Sequence, residues 1–206
     1  MEQTKIIIVR HTQTTGNVEK RLTGREDYPI TELGKNYINR LTERLKNIKF
    51  DRIYASTSGR TVKTIEKLAD INKLTIEQDE NLCEMYFGIY DGWKWEDVDV
   101  VNPKIRENHI KTNEIKGIPE QETTEQVQIR MTNEITKLAQ ENNGKTILIC
   151  SHGVAIEAFL RGITKEPFIC NREKYSQHNT SVNIVDYNLE NNKYKIELLN
   201  DITHLM

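Results

Sequence analysis

Two short apolar runs, each ending at a histidine, constrain this chain more than anything else in it. Lys5 to His11 read KIIIVRH, and Thr146 to Gly153 read TILICSHG. Runs such as Ile6-Ile7-Ile8-Val9 and Ile147-Leu148-Ile149 are apolar at every position, as in strands of a parallel sheet covered on both faces. In open sheets of this kind ligands bind outside the carboxyl ends of the strands. His11 and His152 should therefore face one crevice, with Arg10 beside the first. Two imidazoles and a guanidinium at one strand edge make a receptor for phosphate and offer a nucleophile for it.

The remaining pattern predicts strands alternating with helices, and hence an α/β fold with a mainly parallel sheet. Thr31 caps a helix whose apolar face is Leu33, Tyr37, Ile38, Leu41, Leu45 and Ile48. A strand at 51–55 leads to a helix at 59–70 carrying Val62, Ile65, Leu68 and Ala69. A brief strand follows at 74–76, then a glycine-bearing loop at 81–92. Thr123 and Gln126 form a capping-box pattern ahead of Val127, Met131, Ile135 and Leu138. Asn143-Gly144 ends that helix. A further helix opens at His152, and two late strands at 181–187 and 194–199 flank a turn at Asn191-Asn192. The stretch 93–122 is the least regular, with Pro103 and Pro119. It reads as an excursion over the strand edge, where substrate selection commonly resides. The 206 residues form a single domain on this reading.

Composition narrows the partners. A net charge of −2 gives no global basic field to attract nucleic acid or an anionic membrane surface. No apolar run reaches membrane-spanning length, and the start of the chain lacks a signal-peptide profile, so a cytoplasmic location is expected. Cys83, Cys150 and Cys170 have neither disulfide nor zinc spacing. Cys150, inside an apolar run, reads as inert core packing. No carboxylate cluster is evident, so no metal site and no cofactor is expected. Nothing in the sequence separates a monomer from a homodimer.

Three segments carry chemistry. Arg10-His11 leads into Thr12, Thr14, Thr15, Gly16 and Asn17, a run of hydroxyl and amide donors suited to a phosphoryl group. Arg10 can give two parallel hydrogen bonds and keeps its charge. Arg60 falls in the first turn of a helix, where a cation is disfavoured by the dipole unless an anion sits against it. Glu84 has the apolar neighbours Leu82, Met85, Tyr86 and Phe87, surroundings that would favour a proton-donating carboxyl. Trp93, Trp95, Tyr86, Phe87 and Tyr90 either wall a leaving-group pocket or pack the excursion onto the domain. Lys104, Arg106, His109, Lys111 and Lys116 read as a solvated helical face, although one of these cations, if it reached the crevice, would select a substrate with a second negative group; His178 reads as a surface residue. His109 and His204 have no neighbours in sequence that imply a role.

Taken in order, Arg10-His11, Asn17, Arg60, Glu84 and Ser151-His152-Gly153 resemble the histidine phosphatase superfamily, the phosphoglycerate-mutase-like proteins. The similarity runs nearly end to end, through Arg21, Asp27, Pro29, Thr31, Gly34, Ser56, Thr64, Leu82, Gly88, Gly92, Pro119, Glu120 and Glu122. Within the family the chain most resembles the small broad-specificity phosphatases and the alpha-ribazole phosphatases. Thr12 stands where the family usually has glycine, and its side chain would either crowd a phosphate or add a hydroxyl donor. Cys83, Asp91, Thr57 and Ser58 also depart from the usual residues, without removing a catalytic group.

The resemblance implies a three-layer α/β/α fold and a metal-independent phosphomonoester hydrolase. His11 would attack phosphorus, and Arg10, Asn17, Arg60, His152 and Gly153 would hold the phosphate. Glu84 would protonate the leaving group and then activate water. The partners implied are a small phosphorylated metabolite and phosphate ion. The alternatives are a phosphoglycerate mutase and a catalytically idle phospho-ligand module. The mutase reading expects a longer chain and a distinctive charged sequence after the acid. The idle module would be favoured by loss of Glu84 or of either histidine, and all three are present.

Overall fold

The computed structural model describes residues 3–206. Its elements in chain order are β1 (Gln3–Arg10), a single turn α1 (Thr15–Val18), α2 (Glu32–Leu45), β2 (Arg52–Ala55), α3 (Gly59–Asn72), β3 (Ile76–Gln78), α4 (Trp95–Val101), α5 (Pro103–Thr112), α6 (Thr124–Glu141), β4 (Thr146–Ser151), α7 (Gly153–Thr164), a second single turn α8 (Arg172–Tyr175), β5 (Val182–Asn188) and β6 (Lys193–Asp201). The six strands form one sheet in the order β3-β2-β4-β1-β5-β6. β1, β2, β3 and β4 run parallel, while β5 and β6 join antiparallel at one edge.

The two apolar runs lie side by side at the centre of this sheet, and successive residues serve opposite faces. Ile6, Ile8, Ile147 and Ile149 pack with Val127, Met131 and Ile135 of α6 and with Ala155 and Phe159 of α7. Ile7, Val9, Leu148 and Cys150 pack with Leu41 and Leu45 of α2 and with Ile65 and Leu68 of α3. The result is three layers, α/β/α. Each of these fully buried large side chains contributes about 1.5–3 kcal/mol by leaving water. Cys150 is part of that core, and burial pushes its thiol up.

The expected helix caps are present. The Thr31 hydroxyl accepts from the Gly34 N–H at 2.9 Å, and Thr123 with Gln126 forms a reciprocal capping box. Four details differ from the sequence reading. Leu33, on the first turn of α2, is 49% exposed and does not join the apolar face. The third strand falls two residues late, at Ile76–Gln78, where Ile53 pairs with Ile76. The stretch 93–122 is largely helical. Pro103 begins α5 at a first-turn position that needs no N–H, and Asn113 in a left-handed conformation ends it. The single turn α8 lies in a segment for which sequence gave no element. Among the described residues no helix is long and apolar enough to cross a membrane.

Candidate active site

Strand register builds the site. Arg10 is paired with Ser151 across β1 and β4, so the next residues, His11 and His152, emerge as neighbours. Their ring centroids are 5.2 Å apart. Ala55 pairs with Cys150 on the other side, which brings Ser56 against the same edge. The His11 backbone N–H donates to the Ser151 carbonyl at 2.9 Å, tying the two strand ends together.

The His11 ring is fixed through Nδ1, which lies 2.7 Å from the Thr12 carbonyl. A carbonyl only accepts, so Nδ1 carries the proton and Nε2 keeps its lone pair. Burial holds this imidazole well below the ordinary histidine value, and the Arg60 and Arg10 charges push the same way, against the Thr12 carbonyl. Neutral imidazole is thus the resting form at neutral pH. His11 lines a cleft of about 260 Å3 together with Arg10, Asn17, Glu84 and Gly153.

Arg10 donates through Nη1 to the Gln177 carbonyl at 2.6 Å, and its buried Nε–H has no partner among the described residues. Gly153 lies beneath it: a Cβ there would stand 3.4 Å from Cζ and Nε of Arg10. Asn17 accepts at Oδ1 from the Thr14 N–H and from Asn179 Nδ2, which leaves its own amide hydrogens to donate. Asn179 also donates to the His11 carbonyl at 3.0 Å.

Arg60 and His152 stand one layer behind the cleft wall. Arg60 Nη1 donates to Asp27 Oδ1 at 2.8 Å and to the Glu26 carbonyl at 2.7 Å. Its Nη2 donates to the Gly24 carbonyl at 2.8 Å and lies 3.0 Å from His152 Nδ1. Guanidinium has no acceptor, so His152 accepts at Nδ1 and donates through Nε2 to Ser56 Oγ, 2.7 Å away. Burial again holds His152 well below the ordinary value, with Arg60, His11, Arg10 and Arg130 adding to it. The buried Nε–H of Arg60 has no partner among the described residues.

Glu84 does not sit among the apolar side chains that flank it in sequence. Its carboxylate accepts from three backbone N–H groups: Met85 at 2.9 Å, Val154 at 3.1 Å and Ala155 at 2.9 Å. The last two belong to the first turn of α7, whose dipole favours a negative charge. The Thr12 side chain does neither of the two things expected of it. Its hydroxyl donates to the Gly34 carbonyl at 2.7 Å, pointing into α2 and away from the cleft. Of the aromatic group, Phe87 and Trp95 line the cleft, while Tyr90 and Trp93 pack on each other at 5.0 Å. His178 is exposed.

The model of the histidine phosphatase superfamily (branch 1) matches residues 6–202. The chain belongs to this family. A probable phosphoglycerate mutase of Enterobacter sp. strain 638 is 26% identical to this histidine phosphatase family member over 204 residues, 98% of this chain and 94% of that one. The solved Bacillus stearothermophilus protein YhfR superposes with a TM-score of 0.92 at 27% identity, covering 98% of this chain and 100% of its own. A mycobacterial glucosyl-3-phosphoglycerate phosphatase shares the fold with a TM-score of 0.85 at 21% identity, over 97% of this chain and 100% of that one.

Several residues of this family member's site have no local signal in sequence. Arg130, on α6, forks onto both Glu122 oxygens at 2.7 and 2.9 Å and donates to the carbonyls of Asn81, Cys83 and Glu84. It thereby fixes the loop that carries Glu84. His109 and Arg172 come from separate excursions and meet at the cleft, with Nη2 2.8 Å from Nε2. His109 also stacks on Trp95, with centroids 5.6 Å apart.

Proposed function

We propose that this chain hydrolyses phosphomonoesters through a phosphohistidine on His11. The observation that carries this reading is the His11 tautomer: Nδ1–H is spent on a backbone carbonyl, and the lone pair on Nε2 belongs to a ring that lines the cleft beside Arg10 and Glu84. Nε2 attacks phosphorus as the bond to the leaving alcohol oxygen breaks. Glu84, having taken a proton from solvent, passes it to that oxygen. In the second half Glu84 takes a proton from water, the water oxygen bonds to phosphorus, the P–N bond breaks and phosphate leaves.

Arg10 and Asn17 hold the phosphate oxygens directly, at the level of Gly153. Arg60 adds its remaining Nε–H and its charge from behind. His152 joins by exchanging its Ser56 bond for a phosphate oxygen through the same Nε2–H. Each such pre-aimed donor stabilises charge that grows in the transition state. The phosphatase branch is favoured over the mutase by the sequence at Glu84-Met85-Tyr86-Phe87-Gly88. The mutase reading draws its support from the probable phosphoglycerate mutase that aligns along nearly the whole chain.

A labelled phosphomonoester, quenched during turnover, should leave acid-labile phosphate on His11, and His11→Ala should abolish both label and turnover. Normal turnover by His11→Ala would overturn the proposal. Release of phosphate from 3-phosphoglycerate should outpace its isomerisation. The reverse order would establish the mutase.

A further inference from the structure

The cleft extends beyond the phosphate end. Gly153 and Glu157 both line it, and four residues of α7 span about 6 Å. Phe87, Trp95, Val154 and Phe168 add apolar surface to its lining. Three guanidinium groups line the cleft: Arg10, Arg21 and Arg172. Arg21 is paired with Glu19 at 2.6 Å. Among the described residues neither Arg10 nor Arg172 has a carboxylate oxygen within 4.0 Å, although the Arg172 charge reaches Glu157. Arg10 holds a backbone carbonyl, and Arg172 holds the ring nitrogen of His109.

The carboxylates of the far end are already matched. Glu157 pairs with the fully buried Arg161 at 2.9 Å, and Glu114 with Lys116 at 2.9 Å. His109 is held neutral, since burial lowers its pKa to about 4, with Arg172 and Arg106 adding to the effect. A neutral imidazole orients a guanidinium without cancelling its charge, whereas a carboxylate in the same place would do both. Arg172, held by His109, thus presents a cation to the same cleft that Arg10 and His11 line.

We infer that Arg172, oriented by His109, binds a second anionic oxygen group on the substrate, so that the substrate is a short phosphorylated acid or a bisphosphate and not the phosphate ester of a neutral alcohol. The inference rests on the phosphatase reading above and narrows it. Arg172 is the specificity-determining residue, and His109 positions it.

The test compares kcat/KM for 3-phosphoglycerate, glycerol 3-phosphate and propane-1,3-diol bisphosphate. Phosphate release is measured with the wild-type chain and with Arg172→Gln and Arg172→Lys. A charge-assisted pair of this kind corresponds to a preference of about 10- to 100-fold for the carboxylate or bisphosphate substrate over glycerol 3-phosphate. The preference should collapse toward unity in Arg172→Gln, mainly through KM, and return in part in Arg172→Lys. Which of the two doubly anionic substrates leads identifies the second group. Equal rates on all three compounds, or a preference that survives Arg172→Gln, overturns the inference and leaves the phosphatase standing. Failure of the wild-type chain to release phosphate from any of them overturns the phosphatase reading and this inference together.

Discussion

Acid should unfold this protein through the two histidines buried at its central strand ends. His11 and His152 are fully buried and both are held well below the ordinary histidine value, first by desolvation and then by the Arg60 and Arg10 charges. In the unfolded chain each returns to about 6.5. Below that pH the unfolded state binds more protons than the native one, so stability rises with pH. The stabilisation from keeping these rings neutral is therefore whole above about pH 6.5. It is lost as pH falls from there toward the depressed native values. Each ring contributes a slope of about 1.4 kcal/mol per pH unit once the unfolded state is fully protonated, and the pair about 2.7. Where both rings are protonated in the unfolded chain and neutral in the native one, each pH unit removes an appreciable fraction of the ~5–15 kcal/mol that holds a domain together. His109 and His204 are also lowered, each to about 4, but they are partly exposed and their share is screened.

Urea unfolding at pH 7, 6 and 5, in phosphate-free buffer, measures this slope. Phosphate must be absent because a ligand that binds only the native state adds its own stabilisation. The comparison is the double variant His11→Gln/His152→Gln, which keeps polar side chains in place and removes both titrations. Its stability should fall less steeply over the same range, by up to about 2.7 kcal/mol per pH unit. Most carboxylates titrate below this window and contribute alike to both proteins. Parallel pH profiles for the two proteins would refute the account of two buried neutral imidazoles.

Two further outcomes follow from the loop that carries Glu84. Arg130→Met removes five hydrogen bonds to Glu122 and to the carbonyls of Asn81, Cys83 and Glu84. It should cost about 3 kcal/mol in urea unfolding and lower kcat more than it raises KM, because Glu84 loses its bearing. An unchanged kcat would place Arg130 outside the positioning of the acid. Gly88 has φ +57°, and an added Cβ would meet the Pro119 carbonyl oxygen at 1.9 Å. Gly88→Ala should lower thermal stability by about 2 kcal/mol or more, and a thermal shift within error would contradict that clash.

The central sheet was legible because its strands are marked at every position. Ile6 to Val9 and Ile147 to Ile149 are apolar whichever face they serve, and the histidines follow at the ends where binding occurs. The helices α2 and α6 were legible from caps and spacing, α3 from spacing alone, and α7 from the strand that precedes it. The excursion was not, because Pro103 signals a break in sequence while in the fold it starts a helix. Ile105 and Trp95 pack onto the core cluster, whose other members are far away in sequence. Glu84 shows the same limit. Its neighbours in sequence are apolar, but its carboxylate meets the N-terminus of α7, seventy residues away. In sequence His109 looks like part of a solvated face because its partner Arg172 lies 63 residues away.

The placement of Arg60 illustrates how the fold divides work that the sequence assigns to one residue. A cation in the first turn of α3 opposes the helix dipole, and an external anion was the expected compensation. The structure supplies an internal one. Asp27 accepts from the Gly59 N–H and from Arg60 Nη1, so its carboxylate caps α3 and neutralises its misplaced cation together. Arg60 is then free to act on His152 at 3.0 Å, where its proton fixes the ring's acceptor nitrogen and so commits Nε2 to being a donor. His11 is committed the opposite way by the Thr12 carbonyl, with its proton on Nδ1 and its lone pair on Nε2. Two identical side chains, 5.2 Å apart, thus carry opposite polarities at Nε2. One can attack an electrophile and the other can hold the oxygen it leaves negative. A site with both rings in the same tautomer would lack one half of that chemistry.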